Sequence, residues 1–351
     1  MPLTRSDIRR TAEKYLARHP EERAALAGLM TLLDGADDPA DRATLPGHVT
    51  CSAAVIDREQ RVLHIAHRGT GLLLPPGGHI EGDRTLLAAA LREVCEETGL
   101  QARDLCLTPQ FLGSPVDVDI HDIDANPSKG EGPHQHFDFR YAFYLSPEDH
   151  PELALQDAEV DGARWLELSK VRSSTLRSKL LAARAQGLGG KPEPVNASAL
   201  IHNGEGAYLL HLRDDRPGIW QPWNMALLGG GRCASDRDLM DTVRRELAEE
   251  VPGLDVGELT PYAVEEETSV DGLAVPIQVF SGLWRGDVGR LRLHEGVLLY
   301  WASLSDLDRL RLTPGLAGLI RRHAAEESAA GEVVPHQMPG APEGVRGGSG
   351  A

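Results

Sequence analysis

GGHIEGDRTLLAAALREVCEETGL, residues 77–100, decides the fold of this chain. Paired glycines and a polar turn lead into a run with helical spacing, so the stretch reads as a loop followed by a helix over residues 85–97. At about 100° per residue, Glu96 and Glu97 lie about 60° and 40° to either side of Glu93, which places three carboxylates on one stripe. Leu87, Leu91 and Val94 fall on the other side and supply an apolar anchor. Ala89 and Ala90 sit one turn earlier on the acidic side, where small side chains leave room for a ligand. Like charges at this spacing cost helix stability unless a cation offsets them, and an oxygen-only ligand set suits Mg²⁺ or Mn²⁺. A solvated helix face is the ordinary explanation of a single acidic cluster. A glycine loop at fixed distance, and a second occurrence of the whole unit, favour a site instead.

The second occurrence lies downstream. Gly78, Arg92, Glu93, Glu96 and Glu97 recur as Gly231, Arg245, Glu246, Glu249 and Glu250, at a constant offset of 153 (231 − 78 and 250 − 97). A second marker, E-x5-W-x2-L-S, occurs at Glu159, Trp165, Leu168 and Ser169 and again at Glu295, Trp301, Leu304 and Ser305. Its offset is 136 (301 − 165), so the second copy is 17 residues shorter (153 − 136) between the acidic helix and the tryptophan. Duplication followed by divergence accounts for both markers.

The segment resembles the Nudix box, G-x5-E-x7-R-E-U-x-E-E-x-G-U with U aliphatic, at Gly78, Arg92, Glu93, Val94, Glu96, Glu97, Gly99 and Leu100. The second copy matches at Gly231, Arg245, Glu246, Leu247, Glu249 and Glu250, then ends VPGL with Pro252 at the glycine position unless one residue is inserted. The resemblance implies two α/β/α sandwiches around mixed sheets, with the box as loop–helix–loop. It implies that Glu93 and Glu97 bind Mg²⁺, that Glu96 completes or relays the site, that Arg92 orients the glutamates and that the Gly77 carbonyl adds a ligand. Glu246, Glu249, Glu250, Arg245 and the Gly230 carbonyl take the same parts in the second domain. Water activated by the ion then attacks phosphorus while the ion offsets charge on the phosphoryl oxygens. Both copies depart from the box at its first glutamate, where Arg84 and Arg237 stand. Asp83 and Asp236, one residue earlier, are read as helix N-caps and are also the carboxylates at hand to replace the missing one.

The added residues of the first copy are assigned to SPVDVDIHDIDANPSKGEGPHQHFDFRYAF, residues 114–143, whose arms alternate as paired strands do. Val116, Val118 and Ile120 oppose Asp117, Asp119 and His121; Phe137, Phe139, Tyr141 and Phe143 oppose His134, His136, Asp138 and Arg140. The aromatic face is core. The polar face is either an exposed hairpin surface or the floor of a substrate cleft, with His136, Asp138 and Arg140 as contacts for phosphate or sugar. A separate metal site built from His134 and His136 is a further reading. Glu159 and Glu295 are either surface acids beside a core tryptophan or an additional acid at the reaction centre. Trp220 and Trp223 either pack in the core or stack on a base. His67 and Arg68 precede the first glycine loop and Arg213 the second, in positions suited to phosphate contact.

The 351-residue length suggests more than one domain, and 41% hydrophobic with 25% charged residues is ordinary for a globular protein. The expected division is a helical segment over 1–45, domains over 46–188 and 189–328, and a disordered tail over 329–351. GLGGKPEP serves as the linker. A net charge of −17 argues against nucleic acid as a partner, though a divalent ion makes an acidic cleft a phosphate site. No apolar run spans a membrane, no signal peptide begins the chain, and four scattered cysteines indicate no disulfide framework, so a cytoplasmic protein is expected. The main expectation is an Mg²⁺-dependent pyrophosphohydrolase acting on a nucleoside diphosphate linked to another moiety, or on a nucleoside triphosphate, and releasing a nucleoside monophosphate. The alternatives are that only the first domain turns over, the second being a structural or binding partner, or that the chain is a non-catalytic ligand sensor.

Overall fold

A computed structural model describes residues 3–126, 130–189, 192–216 and 219–332. Helix α1 (Arg5–Arg18) starts after Thr4, which forms a reciprocal capping box with Asp7. A short 3₁₀ turn (Pro20–Glu22) and helix α2 (Ala27–Asp34) follow. These helices are not a separate body. Ile8, Tyr15, Leu16, Leu29 and Leu33 share one buried cluster with Val49, Phe137 and Phe139 of the first sheet.

That sheet is built on β1 (Gly47–Ile56), with β2 (Arg61–His67), β3 (Leu72–Leu74) and β4 (Gly77–His79) before helix α3 (Leu86–Thr98). After the helix come β5 (Leu105–Leu107), β6 (Asp117–Ile123), β7 (His134–Leu145), β8 (Val160–Glu167) and helix α4 (Ser174–Ala185). β1 is antiparallel to β2 and β4 and parallel to β7, so the sheet is mixed. Alternation along the strands sends Val49, Cys51, Ala53, Phe139 and Tyr141 toward α3, while Ala54, Ile56, Ala142 and Tyr144 face α4. Between β8 and α4 stands a 3₁₀ turn at Leu168–Lys170, and Ser173 caps α4.

The second half repeats the plan. β9 (Asn196–His202), β10 (Ala207–Leu212), β11 (Met225–Ala226) and β12 (Leu228–Gly231) precede α5 (Leu239–Glu250); β13 (Leu259–Thr268), β14 (Ala274–Leu283), β15 (Leu298–Ser303) and α6 (Leu316–Glu332) follow. β9 is antiparallel to β10 and β12 and parallel to β14. Val243 and Leu247 of α5 pack with Ala197, Ala199 and Phe280, while Leu316, Leu319 and Ile320 of α6 pack with Leu200, Leu210 and Val279 on the other face. α6 continues to Glu332, past residue 329 where the tail is expected to start; residues 333–351, and 190–191 of the linker, lie outside the described residues.

The halves join edge to edge. β5 pairs with β7 on one side and meets β14 on the other at Cys106↔Ala274, so one sheet runs through both halves. Leu273 is buried in the first core, and Arg84 forms an ion pair with Asp271 at 3.1 Å. The 17 added residues do not all lie in the first hairpin. Asp117 and its partner Arg140 are 23 residues apart (140 − 117), and the matching pair Ala263 and Val279 are 16 apart (279 − 263), so seven residues belong there. Much of the remainder falls in the stretch that carries β5.

Candidate active site

Helix α3 lies against β1 and β4 because its inner face is small. Ala89 and Ala90 are fully buried in the core with Leu91 and Val94. The expectation that they open space for a ligand is therefore corrected: their size lets the helix approach the sheet, which brings its carboxylates to the glycine strand. Thr85 caps the helix by accepting the Ala88 N–H, and Asp238 caps α5 in the same way through Asp241. Asp83 and Asp236 are thus not the caps. Asp83 instead accepts from Arg92 Nε (3.2 Å) and Nη2 (3.1 Å), and Asp236 from Arg245 Nε (3.1 Å) and Nη2 (3.0 Å). In both copies the displaced carboxylate has moved one residue toward the N-terminus. The arginines at the vacated position turn elsewhere: Arg84 to Asp271, Arg237 to Asp241.

Arg92 is the hub of the first centre. Its Nη1 reaches Glu93 Oε1 (3.0 Å) and Glu96 Oε2 (2.9 Å), and its Nη2 donates to the His79 carbonyl (2.6 Å). Glu97 accepts the Gly77 N–H at 2.8 Å. Gly78 is required by close approach: a Cβ there would stand 2.6 Å from Glu93 Oε1. Burial pushes the Glu93 carboxyl up to about 7 although Arg92 opposes it. Burial also pushes Glu97 up to about 8, with the Gly77 N–H pulling the other way and Glu93, Glu159 and Glu96 adding to the rise. Arg92 is shared among Asp83, Glu93 and Glu96, and among the described residues the Glu97 carboxylate has one neutral donor, the Gly77 N–H. This half-dry carboxylate group is short of positive charge, the condition that a hard divalent cation satisfies.

The second centre has the same bonds. Arg245 Nη1 reaches Glu246 (2.8 Å) and Glu249 (3.0 Å), Nη2 donates to the Gly231 carbonyl (2.8 Å), and Glu250 accepts the Gly229 N–H (2.9 Å). Burial raises Glu250 to about 8 and also raises Glu246. These contacts correct the alignment by one residue. Gly229 pairs with Ser198 as Gly77 pairs with Ser52, and a Cβ on Gly230 would strike Glu246 as one on Gly78 would strike Glu93. The partner of Gly77 is therefore Gly229, not Gly230, and Gly231 matches His79; the extra residue lies in the loop before Asp236. The helix ends differ similarly. Gly99 (φ 74°) closes α3 directly, whereas Val251 follows α5 and Gly253 (φ 90°) takes the left-handed turn, so one residue is inserted there.

Other expected residues are gathered or set apart by the fold. Glu159 lies near enough to Glu97, and Glu295 to Glu246 and Glu250, to raise their pKa values, so both exposed acids border the carboxylate centres. Arg68 is exposed and paired with Asp161 at 2.7 Å, and its N–H donates to the Glu159 carbonyl. Arg213 is partly buried; burial lowers its pKa, while Glu250, Asp214 and Glu295 hold its charge. Its guanidinium lies 6.0 Å from the Trp220 ring. Trp223 is 47% exposed with φ 61°, so the core-packing alternative does not hold for it.

The hairpin pairs as its alternation requires, with Asp117↔Arg140, Asp119↔Asp138 and His121↔His136. Its polar face is covered at one end rather than open. Arg140 donates to Asp138 (3.0 Å), Asp117 (3.0 Å), Asp119 (2.8 Å) and Ser173 Oγ (2.7 Å), and Lys179 of α4 binds Asp117 at 2.5 Å. Burial opposes the Arg140 charge, and the three carboxylates outweigh it. Asp138 also accepts from Ser52 Oγ at 2.7 Å. Arg140 and Asp138 thus form an internal ion knot beneath α4, with every guanidinium nitrogen occupied. His136, at the other end, joins a group of imidazoles. Burial first, then its neighbours His48, His79, His121 and His134, push its pKa down to about 2. Sequence reading missed His48 and His79, since strands β1 and β4 reach this place only through tertiary pairing.

A family model described as the NUDIX domain matches residues 46–185. Phosphatase NudJ of Escherichia coli K12 is 32% identical over 138 residues, covering 38% of this chain and 78% of that protein. The chain belongs to the Nudix family. A Lactococcus lactis protein named "Probable DHNTP pyrophosphohydrolase" is 39% identical over 103 residues, covering 29% of this chain; the chain spans 57% of that relative's length. Among solved structures, the NUDIX domain of Shewanella oneidensis NrtR, complexed with ADP ribose, is similar over 41% of this Nudix chain and 97% of its own, at 17% identity and a TM-score of 0.34. Relatives named as pyrophosphohydrolase and phosphatase support a Nudix-type hydrolase activity for the family to which this chain belongs.

Proposed function

We propose that this Nudix chain is a divalent-cation-dependent pyrophosphohydrolase with two Nudix-type centres in tandem. Its substrate class is a nucleoside diphosphate linked to another moiety, or a nucleoside triphosphate, cut at a diphosphate bond to release a nucleoside monophosphate. The observation that carries this reading is Glu97, buried and tied to the glycine strand through the Gly77 N–H beside half-buried Glu93, an arrangement repeated by Glu250 with Gly229 beside Glu246. Glu93, Glu97 and the Gly77 carbonyl would hold Mg²⁺, as would Glu246, Glu250 and the Gly229 carbonyl. When bound, the ion supplies charge compensation at the diphosphate and lowers the pKa of a water. Arg92 and Arg245 hold their glutamates in place. Glu96 and Glu249, exposed beside them, would complete or relay each site. Glu159 and Glu295 border the centres as acceptors for a proton from the attacking water.

One observation favours unequal halves. Arg213 faces Glu250 and Glu295, and Trp301 and Trp165 place it level with His67 of the first half. A built-in cation there competes with a metal ion for Glu250, so the first centre would turn over faster.

Release of phosphate, diphosphate or nucleoside monophosphate from a nucleotide panel, with and without Mg²⁺, tests the proposal. Wild type, Glu97→Gln and Glu250→Gln should be compared. Metal-dependent release that falls at least ~100-fold in Glu97→Gln is expected. Turnover unchanged in both variants would overturn the metal assignment. A loss confined to Glu97→Gln would assign that substrate to the first half alone.

A further inference from the structure

Five imidazoles meet on the polar face of the first sheet, at the end away from the Arg140 knot. Strand register brings them there: His48 is the Cα partner of His136 in the β1–β7 ladder, His121 is its partner in the β6–β7 ladder, and His79 stands opposite Thr50. Ring centroids are 4.8 Å apart for His48 and His136, 5.0 Å for His48 and His134, and 5.1 Å for His134 and His136. His79 and His121 lie 5.3 Å and 5.5 Å from His136.

Three of these rings converge by their nitrogens. One ring nitrogen from each of His48, His134 and His136 lies within 4.8 Å of the other two. Nε2 of His134 and Nε2 of His136 are 3.3 Å apart. That is the nitrogen separation expected when two imidazoles bind one tetrahedral ion at about 2.0–2.1 Å. Nδ1 of His134 is 2.8 Å from the Gly132 carbonyl, to which it donates, and this leaves the Nε2 lone pair pointing at the group. His121 has the same kind of support, its Nδ1 lying 2.9 Å from Asp119 Oδ2. His48 is 1% exposed, and among the described residues neither of its ring nitrogens makes a hydrogen bond of good geometry, the nearest approach being to the Thr44 backbone. A buried polar group left in that state costs about 1–3 kcal/mol, which a ligand taking its lone pair would relieve.

We propose that His48, His134 and His136 form a second metal site, for a borderline divalent ion of the Zn²⁺ class, separate from the oxygen-only carboxylate centre. Imidazole ligands favour Zn²⁺, Ni²⁺ or Cu²⁺ over Mg²⁺. Water would supply the fourth ligand, or His121 or His79 after a side-chain rotation, since their rings stand next to His136. A cleft of about 610 Å³ lined by Arg42, Leu45, Gly132 and His134 gives solvent access to the site. The ion would tie the start of β1 to the start of β7. It would also lie next to β4, whose His79 carbonyl holds Arg92, so its occupancy bears on the neighbouring centre through one strand.

The full chain, stripped with a chelator and dialysed, would be titrated with Zn²⁺ alone against a chromophoric competitor in excess Mg²⁺. One tight equivalent is expected, retained in Glu97→Gln/Glu250→Gln. It should weaken more than about 100-fold in His134→Ala/His136→Ala, since losing even an outer partner of a ligand typically costs about 10–100-fold. Co²⁺ in wild type should give the intense visible absorption of tetrahedral nitrogen coordination, a readout that needs no variant. Absence of a tight equivalent, an affinity unchanged in the double histidine variant, or an octahedral Co²⁺ spectrum would each overturn the proposal.

Discussion

Glu97→Gln combined with Glu250→Gln should stabilise the metal-free protein at alkaline pH while abolishing its response to Mg²⁺. Both carboxyls are pushed by burial from 4.5 to about 8. A carboxyl whose folded pKa is raised contributes stability that is complete below its unfolded value and lost as pH rises through the folded one. The window therefore runs from about pH 4.5 to about pH 8. At about 1.36 kcal/mol per unit, ionising one such group in the folded state costs on the order of 4 kcal/mol at pH 8. Glutamine removes the charge and still accepts the Gly77 or Gly229 N–H. The assay is thermal unfolding of the full chain, in chelator or in saturating Mg²⁺, at pH 5 and pH 8. In chelator at pH 8 the double variant should melt several degrees above wild type, at roughly 2–4 °C per kcal/mol for domains of this size. At pH 5 that advantage should shrink. Mg²⁺ should raise only wild type, by about 2.7 kcal/mol at one hundred times its dissociation constant. A double variant that melts lower than wild type at pH 8 without metal, or that gains as much from Mg²⁺, would refute the reasoning.

Gly78→Ala puts a Cβ 2.6 Å from Glu93 Oε1, so the carboxylate must move; Mg²⁺-dependent turnover should drop on the order of 100-fold with little change in melting, and near-normal kinetics would discount the close approach. Asp83→Ala frees Arg92 from its second anchor, and a rise in the Mg²⁺ concentration needed for half-activity, with turnover down about 10-fold, should appear in steady-state kinetics. Asp83→Glu should recover part of that loss. Asp117→Asn leaves Lys179 and one arm of Arg140 without their buried carboxylate, and urea denaturation should report a loss of about 3–5 kcal/mol.

Much of this architecture can be read along the chain, because it depends on local periodicity. The stripe of Glu93, Glu96 and Glu97 follows from helical geometry, and the two-faced hairpin follows from strict alternation in residues 134–143. The repeat is legible for the same reason: the glycines, the arginine and the three glutamates recur at nearly fixed spacing in both halves. Local periodicity is not enough where one residue of register matters. Asp83 has the side chain of a cap, yet the docked helix is capped by Thr85, two residues on, and Asp83 faces Arg92. Gly229, Gly230 and Gly231 are identical in sequence, and the ladder with β9 alone decides which one donates to Glu250.

By itself the sequence determined the α/β plan, the repeated pattern of glycines, arginine and glutamates, and the stripe the glutamates share on each helix, since each rests on spacing along the chain. Tertiary structure decided the rest, because it depends on which strands become neighbours. Parallel pairing of β1 with β7 sets Ser52 and Asp138 together and turns Arg140 from a candidate substrate contact into an ion knot beneath α4. The same pairing gathers His48, separated by 86 residues (134 − 48) from His134, into a cluster no local pattern announces. Arg84, out of place in the box, finds its reason only in Asp271 of the other half.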